Sequence, residues 1–392
     1  MSKTVLVINI GMEQQPLVEN LFDRGYKVYA IHHSDDYDPH PFEDVLVCDY
    51  DDIGQAYAFI EDLKLDGILS DQCDYSNVLQ SELSEKLDLP THTITSTLIS
   101  SNKDLQRSIS KTNNIKIPEF CIVSKKEELS QINIPFPVIV KPTYNRGSIG
   151  VSVATDKDSL AKAFEFSSEN SPTGYSVVER FIEGTEFTVD GYCFDSGVKT
   201  VAVAKKMKLG VDSQVSTDIE YSPDIDEILY QRLVSNNEIV INKLGYTFGF
   251  THSEYLVDSE GDIYLVEAAN RGGGMFTSEI IVPHVSGLDL LNKYIDDCLG
   301  IENNIEIDIK RNPTILKFFT FKPGKVVGIS GVESLEVSDK ILKLGINIKV
   351  GDEINPAIDD SKRHGFIIYS SDTNLREGVV DVMNKIKITY EY

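Results

Sequence analysis

The sequence predicts a multidomain α/β and α+β protein in which an N-terminal parallel-sheet domain precedes a larger strand-rich body and a small C-terminal α+β domain. Three observations carry that expectation. The first hundred or so residues alternate strand-like runs with helical ones, the middle of the chain is rich in strands paired around polar turns, and 392 residues suffice for two or three hydrophobic cores.

The N-terminal rhythm runs KTVLVINI, a helix around Gln15 to Arg24, KVYAIHH, DVLVCD, a helix around Ile53 to Leu63, and DGILSD. Such alternation builds a parallel sheet with helices on its faces, and open sheets of this kind bind ligands beyond the carboxyl ends of their strands. Gly11 and Ser70-Asp71-Gln72 occupy those ends and are candidate contacts, although most loop residues there are structural. The dinucleotide fingerprint G-x-G-x-x-G is absent, so no nicotinamide site is expected.

A second block opens at Ser100 to Asp104, where Ser and Asn suit the cap of a helix continuing through Gln106 and Ile109. Farther on, a strand over Pro137 to Val140 delivers Lys141, and Pro142 keeps the backbone extended. The following segment Arg146-Gly147-Ser148-Ile149-Gly150-Val151 is a small loop whose N–H groups suit a phosphate. Taken alone, such a loop is more often a hairpin turn, and it is not a Walker A sequence. YSVVERFIEGTEFTVDGYCFDSG then reads as two strands about a turn at Glu183-Gly184. Backbone at Arg180 to Ile182 suits an adenine edge and a nearby carboxylate suits ribose hydroxyls; a charged connector is the plainer alternative.

THSEYLVDSEGDIYLVEAANRGGG reads as a β-hairpin around Ser259-Glu260-Gly261. Pairing Asp258 with Ile263 also pairs Leu256 with Leu265, Glu254 with Glu267 and His252 with Ala269. The two glutamates then share a face with Leu256, Ile263 and Leu265, which is expected to point inward, while Tyr255, Val257, Tyr264 and Val266 line the other side. Opposed anions about 5 Å apart repel, and a hard divalent cation such as Mg²⁺ or Mn²⁺ resolves the conflict. An exposed hairpin with two unrelated acids is an equally good reading of this segment by itself.

Charge and cysteine usage exclude several classes. With 62 acidic against 37 basic residues the net charge is −25, which repels nucleic acid and anionic membranes and leaves anionic ligands to local basic clusters. Five scattered cysteines without metal-ligand spacing suit a reducing compartment, no run approaches the roughly 20 apolar residues of a membrane span, and no signal peptide opens the chain. A cytoplasmic protein is expected.

Lys103, Lys141, the Gly147 to Gly150 loop, Glu179 with Glu186, Glu254, Glu267 and Arg271 together resemble, in order and spacing, the ATP-grasp superfamily. The resemblance covers the whole chain. It implies a preceding α/β domain over residues 1–98, an ATP-grasp body over 99–300 with a mobile lid lobe at about 118–180, and a C-terminal domain over 301–392 that completes the substrate site. It further implies that Lys103, Lys141 and Ser148 meet the phosphates of ATP, that Glu179, Phe181 and Ile182 hold adenine, and that Glu186 holds ribose. Glu254 and Glu267 become ligands of Mg²⁺ or Mn²⁺. Arg271, with Gly272, Gly273 and Gly274, meets the substrate carboxylate or acyl phosphate, and Arg271 and Lys141 take the catalytic roles.

Many members carry Asn two residues after the second glutamate, whereas this chain has Ala269 there and Asn270 next, which leaves the number of metal ions open. E-A-A-N-R-G-G-G is similar to the E-x-A-x-R-x-G-G pattern of the branch containing L-amino acid ligases and carnosine synthase-like enzymes, as is His252-Ser253-Glu254, and FFTFKPGKVVGISGVESLE resembles the same branch. The implied activity is phosphorylation of a carboxylate to an acyl phosphate, then coupling to an amine with release of ADP and phosphate. Substrates would be small carboxylates and amines, chiefly amino acids, and a homodimer is left open. A bicarbonate-using ATP-dependent carboxylase and a non-catalytic ATP-binding protein are the alternatives. His252 is expected to be a core residue rather than a general base, and Lys205 and Lys206 face either the phosphates or solvent.

Overall fold

Alternation along the first strands decides which side chains enter which core. In the computed structural model, which describes residues 2–145, 149–208, 216–222, 224–335, 340–356 and 362–391, the strands β1 (Thr4–Ile8), β2 (Lys27–His32), β3 (Asp44–Val47) and β4 (Gly67–Leu69) are parallel in the order β3-β2-β1-β4. Val5, Val7 and Val28 pack on one face with Leu17, Val18 and Leu21 of α1 (Gln15–Asp23). Leu6, Ile8 and Ile31 pack on the other with residues of α2 (Ile53–Ile60) and α3 (Asp74–Lys86). Period-two side-chain direction accounts for the split.

Helices α4 (Ile94–Ser101) and α5 (Lys103–Thr112) meet at Asn102. The expected Asn cap does not form in the usual way: the Asn102 amide turns back and donates to the Leu98 carbonyl at 2.9 Å, closing α4 instead of opening α5.

Strands β5 (Phe120–Val123), β6 (Val138–Pro142), β7 (Ser152–Ala154) and β8 (Ser176–Arg180) form an antiparallel sheet of order β5-β8-β6-β7, with α6 (Lys157–Glu169) on one face. Val138, Val140 and Val178 pack against Leu160, Ala163 and Phe164 of α6. Alternation therefore sends Lys141 and Glu179 to the opposite face. Of the loop between β6 and β7, Arg146, Gly147 and Ser148 lie outside the described residues, so the expected phosphate contact of Ser148 falls there.

The remaining strands are β9 (Thr185–Phe194), β10 (Gly197–Lys208), β11 (Ser216–Tyr221), β12 (Gly249–Val257), β13 (Ile263–Ala269), β14 (Thr314–Phe319), β15 (Gly324–Ser330), β16 (Ile341–Ile346), β17 (Glu353–Ile354), β18 (Gly365–Ser370) and β19 (Lys387–Tyr390). Eight of them make one sheet of order β13-β12-β9-β10-β11-β14-β18-β16, and β17-β15-β19 make a small one. Because β11 pairs with β14, from Asp218 opposite Lys317 to Tyr221 opposite Thr314, the C-terminal strands extend the central sheet. One face of the sheet is covered by α7 (Glu227–Leu244), whose Leu233, Val240 and Ile241 pack with Phe187, Val189 and Leu265. The other face carries Tyr192, Ala202 and Phe250 beneath α8 (Val282–Ser286) and α9 (Leu290–Cys298), in a core shared with Val5 and Leu17 of the N-terminal sheet. A last helix, α10 (Leu375–Met383), packs Val379 and Val382 against β14 and β18.

The hairpin of β12 and β13 departs from the expected register. Glu254 pairs with Glu267 and His252 with Ala269, but a bulge follows, so Tyr255 pairs with Leu265, Leu256 with Tyr264 and Val257 with Ile263. Val266 is the extra residue. The inserted residue reverses alternation on β13, so Ile263 and Leu265 join Tyr255 and Val257 in the core under α7. The glutamates are left on the opposite face with His252, Leu256 and Tyr264, where the Glu254 and Glu267 side chains remain 24% and 30% exposed rather than entering the apolar interior.

Candidate functional site

The cleft face of the central sheet gathers acids and lysines by strand pairing. Glu186 on β9 lies opposite Leu256 on β12 and Lys206 on β10, while Glu254 lies opposite Glu267 and Thr188. Lys206 Nζ bridges Glu186 Oε1 at 2.8 Å and Glu254 Oε1 at 2.7 Å, and Lys208 Nζ reaches Glu186 Oε2 at 2.7 Å. Lys103, first residue of α5, places Nζ 2.9 Å from Glu267 Oε1 and donates to the Asn145 carbonyl at 3.1 Å. Burial opposes ionisation of Glu254 and Glu267; Lys206 and Lys103 outweigh it and hold both acids below the usual carboxylate range. Of the two lysines left open by the sequence, Lys205 is exposed and Lys206 enters the cleft.

Glu179 has a different environment. Its carboxylate is only 2% exposed and is held by Arg107 Nε and by Lys141 Nζ at 2.9 Å, while Arg107 Nη2 donates to the Val266 carbonyl at 2.7 Å. Burial would raise the Glu179 pKa, but the adjacent Arg107 and Lys141 charges bring it down to about 2. Both Glu179 oxygens are thus committed to protein cations, and the side chain orients Lys141. The Phe181 N–H donates to the Pro137 carbonyl at 3.0 Å and the Arg180 N–H to the Glu119 carbonyl at 2.8 Å. Among the described residues no acceptor takes the Ile182 N–H.

Past β13 the chain makes a tight loop against the N-terminal sheet. Arg271 is clamped bidentately by Asp74, Nε to Oδ1 at 2.9 Å and Nη2 to Oδ2 at 2.8 Å, and Nη1 donates to the Gly272 carbonyl at 2.8 Å. Guanidinium donors not used by these bonds are aimed by the clamp. A Cβ on Gly272 would lie 2.1 Å from Ser278 Oγ, and one on Gly273 2.7 Å from His252 Nδ1, whereas at Gly274 the nearest atom would be 3.6 Å away. Close approach thus requires the first two glycines and not the third. His252 Nδ1 sits 2.7 Å from Asp190 Oδ1, and Tyr221 Oη donates to Asp190 Oδ2 at 2.9 Å, so the ring is fixed by a buried carboxylate rather than by apolar packing beside Ala269. Asn270 turns its amide to the Phe248 and Phe250 carbonyls at 2.9 and 3.2 Å, away from the two glutamates.

Arg107, Asp74, Asp190 and the bulge at Val266 were not expected from the sequence. Among the described residues no group of three or more His, Cys, Asp or Glu could hold a metal ion. The paired glutamates still fit Mg²⁺, which commonly takes one or two carboxylates with phosphate and water oxygens completing its shell.

Two stretches match known domain families: residues 134–279 the ATP-grasp domain, and residues 317–391 the L-amino acid ligase C-terminal domain 2. The chain therefore carries an ATP-grasp domain. Beyond it lies a C-terminal domain of the L-amino acid ligase kind.

Among curated proteins, the large chain of carbamoyl phosphate synthase from Rubrobacter xylanophilus is 26% identical over 176 residues, 43% of this chain and 17% of that protein. D-alanine–D-alanine ligase from Geotalea uraniireducens is 26% identical over 174 residues, 41% of this chain and 51% of the ligase. The chain thus spans about half, or less, of the length of these relatives. Among solved structures, L-amino acid ligase from Bacillus licheniformis superposes with a TM-score of 0.84 at 19% identity, covering 100% of this chain and 99% of that one. Phosphoribosylglycinamide synthetase from Anaerococcus prevotii gives 0.77 at 18% identity over 100% of both chains. These likenesses establish the fold. Among the described residues no helix is long and apolar enough to cross a membrane.

Proposed function

We propose that the chain is an ATP-dependent carboxylate–amine ligase that forms an acyl phosphate and couples it to an amine, with MgATP as phosphoryl donor and amino acids as substrates. The observation that carries this reading is the matched set of ion pairs in the cleft: Lys103 with Glu267, and Lys206 and Lys208 with Glu186 and Glu254. Each partner is one that nucleotide entry can replace in kind. Phosphates suit the lysines and a divalent cation suits Glu254 and Glu267, so MgATP exchanges internal pairs for external ones and leaves no charge unpaired. When bound, Mg²⁺ supplies neutralisation of the phosphate oxygens.

The protein groups then position and stabilise. Lys141, braced by Glu179 and Arg107, and Lys103, at the start of α5, carry charge to the phosphates. The Ile182 N–H meets the adenine edge, and Glu186, freed from Lys206, meets the ribose. Arg271, aimed by Asp74, holds the substrate carboxylate and then the acyl phosphate, while the β5 to β8 sheet keeps water from that intermediate. The His252 ring is held by Asp190 near Glu254. On this reading residues 1–98 precede an ATP-grasp body at 99–300 with its lid at about 118–180, and 301–392 complete the substrate site. None of the five cysteines is in a disulfide, in keeping with a reducing cytoplasm.

The test is ADP release with Mg²⁺ over pairs of carboxylates and amines, chiefly amino acids, for the wild type and Glu267→Gln. Amine-dependent release is expected, falling by about 100-fold or more in the variant. Wild-type release by Glu267→Gln overturns the metal role, and bicarbonate-dependent release without an amine overturns the ligase.

A further inference from the structure

The run Lys141-Pro142-Thr143-Tyr144-Asn145, which leaves the end of β6, joins the two lysines assigned above to the phosphates. Thr143 accepts the Lys103 N–H at its carbonyl, at 2.9 Å, and donates its own N–H to the Tyr175 carbonyl at 3.2 Å. Lys103 Nζ donates to the Asn145 carbonyl at 3.1 Å, and the Asn145 side-chain amide donates to the Asn170 carbonyl at 2.7 Å. Lys103 is thus tied to the strand end that carries Lys141 through both its main chain and its side chain.

Tyr144 leaves this run and crosses to the N-terminal domain. Its ring meets that of Tyr75 edge-on, with centroids 4.8 Å apart and planes at 82°, a geometry that aromatic quadrupoles favour. Tyr75 is the second residue of α3 and follows Asp74, the residue that clamps Arg271. Asn77, buried in the same turn, donates to the Asn270 carbonyl at 3.0 Å, so the start of α3 holds the Arg271 loop by its side chain and by its main chain. Burial, with Tyr75, Asp51 and Asp74 alongside, pushes the Tyr144 hydroxyl well above its ordinary range, which keeps it neutral beside those acids. Both rings are half-buried, and none of the phosphate, metal, adenine or carboxylate roles described above uses either of them.

We propose that Tyr144 and Tyr75 are positioning residues that couple the nucleotide half of the site to the substrate half. Phosphates that settle Lys103 and Lys141 restrain Tyr144, and a carboxylate that settles Arg271 restrains Asp74 and with it Tyr75. Either ligand orders one ring against which the other packs, so each lowers the cost of ordering for its counterpart. Nucleotide and carboxylate then raise one another's affinity by the same factor. The carboxylate end of this link rests on the ligase reading.

The experiment is isothermal titration of a non-hydrolysable ATP analogue with Mg²⁺, in the absence and presence of each member of a panel of amino acids and bicarbonate. It compares wild type with Tyr75→Leu, Tyr144→Leu, the double variant and Tyr144→Phe. At least one panel member is expected to raise the analogue's affinity for wild type by about fivefold or more. That enhancement falls toward unity in each Leu variant and no further in the double variant, and stays within about twofold of wild type in Tyr144→Phe, which keeps the ring. A merely structural role weakens binding with and without the carboxylate alike and leaves the ratio unchanged. Tyr144→Met, which keeps length and loses the ring, stands in for a Leu variant that does not fold. No enhancement by any panel member in wild type, an undiminished ratio in the folded variants that lack a ring, or loss in Tyr144→Phe as full as in Tyr144→Leu overturns the link. Amine-dependent ADP release by wild type tests the ligase separately. Enhancement without such release keeps the link and removes the ligase, whereas release without enhancement does the reverse.

Discussion

Replacing Glu179 by Gln removes the anion that holds Arg107 and Lys141, and its cost can be worked out. The folded carboxyl sits at about 2 against an ordinary value of 4.5, a gap of about 2.5 pH units, worth roughly 3 kcal/mol at neutral pH by linkage. A depressed folded pKa contributes stability that is complete above the unfolded value and is lost as pH falls through the folded one. At about pH 3 the same two values leave only about 1.4 kcal/mol. Wild type should therefore exceed Glu179→Gln in stability by about 3 kcal/mol near pH 7, and by less than half of that near pH 3. Urea unfolding followed by far-UV circular dichroism or tyrosine emission measures both, since the chain has 18 tyrosines and no tryptophan. ADP release should also fall by about tenfold or more as Lys141 loses its brace. A stability gap under about 1 kcal/mol at neutral pH, or one that does not narrow in acid, would refute the assignment of Glu179 as a buried anionic brace.

Lys206→Met leaves Glu186 and Glu254 without their shared cation and should destabilise the nucleotide-free protein by about 2 kcal/mol. Mg²⁺ alone should then raise the variant's melting temperature more than it raises that of wild type; equal shifts would count against Lys206 as the occupant of the cation position. Gly272→Ala drives a methyl into Ser278 and should cost about 1–3 kcal/mol. The second change Ser278→Gly should recover part of that loss in a thermal melt, and an unaltered melt in the single variant would mean that the loop yields without strain.

Much of the site was legible because it depends on local rules. The opposed glutamates followed from counting across one turn and the parallel N-terminal sheet from alternating runs, whereas the Arg271 loop entered only through the family resemblance. What escaped depends on partners far away in the chain. Arg107 lies on a short polar helix and reads as a solvated residue, and only the distant Glu179 and Val266 carbonyl explain its burial at 1% exposure. Asp74 acquires its meaning from Arg271 in the same way. Lys205 and Lys206 were inseparable because β10 is itself irregular between Thr200 and Ala202, which resets its alternation relative to β9. The bulge at Val266 has no compositional signature, and missing it exchanged the companions of the two acids while leaving the acids correctly paired.

That one extra residue has a wider consequence. It sits between the hairpin turn and the carboxylates, so pairing on the turn side is decoupled from pairing on the acid side. Lengthening or trimming Ser259 to Gly261, or sliding the outer strand ends, can be absorbed there before it reaches Glu254 and Glu267. The carbonyl of the same residue anchors Arg107, and through Glu179 it sets Lys141 on the neighbouring sheet. The bulge thus acts as both a buffer and a datum, letting the hairpin tip drift through sequence change while two separate sheets keep their charged groups in common alignment.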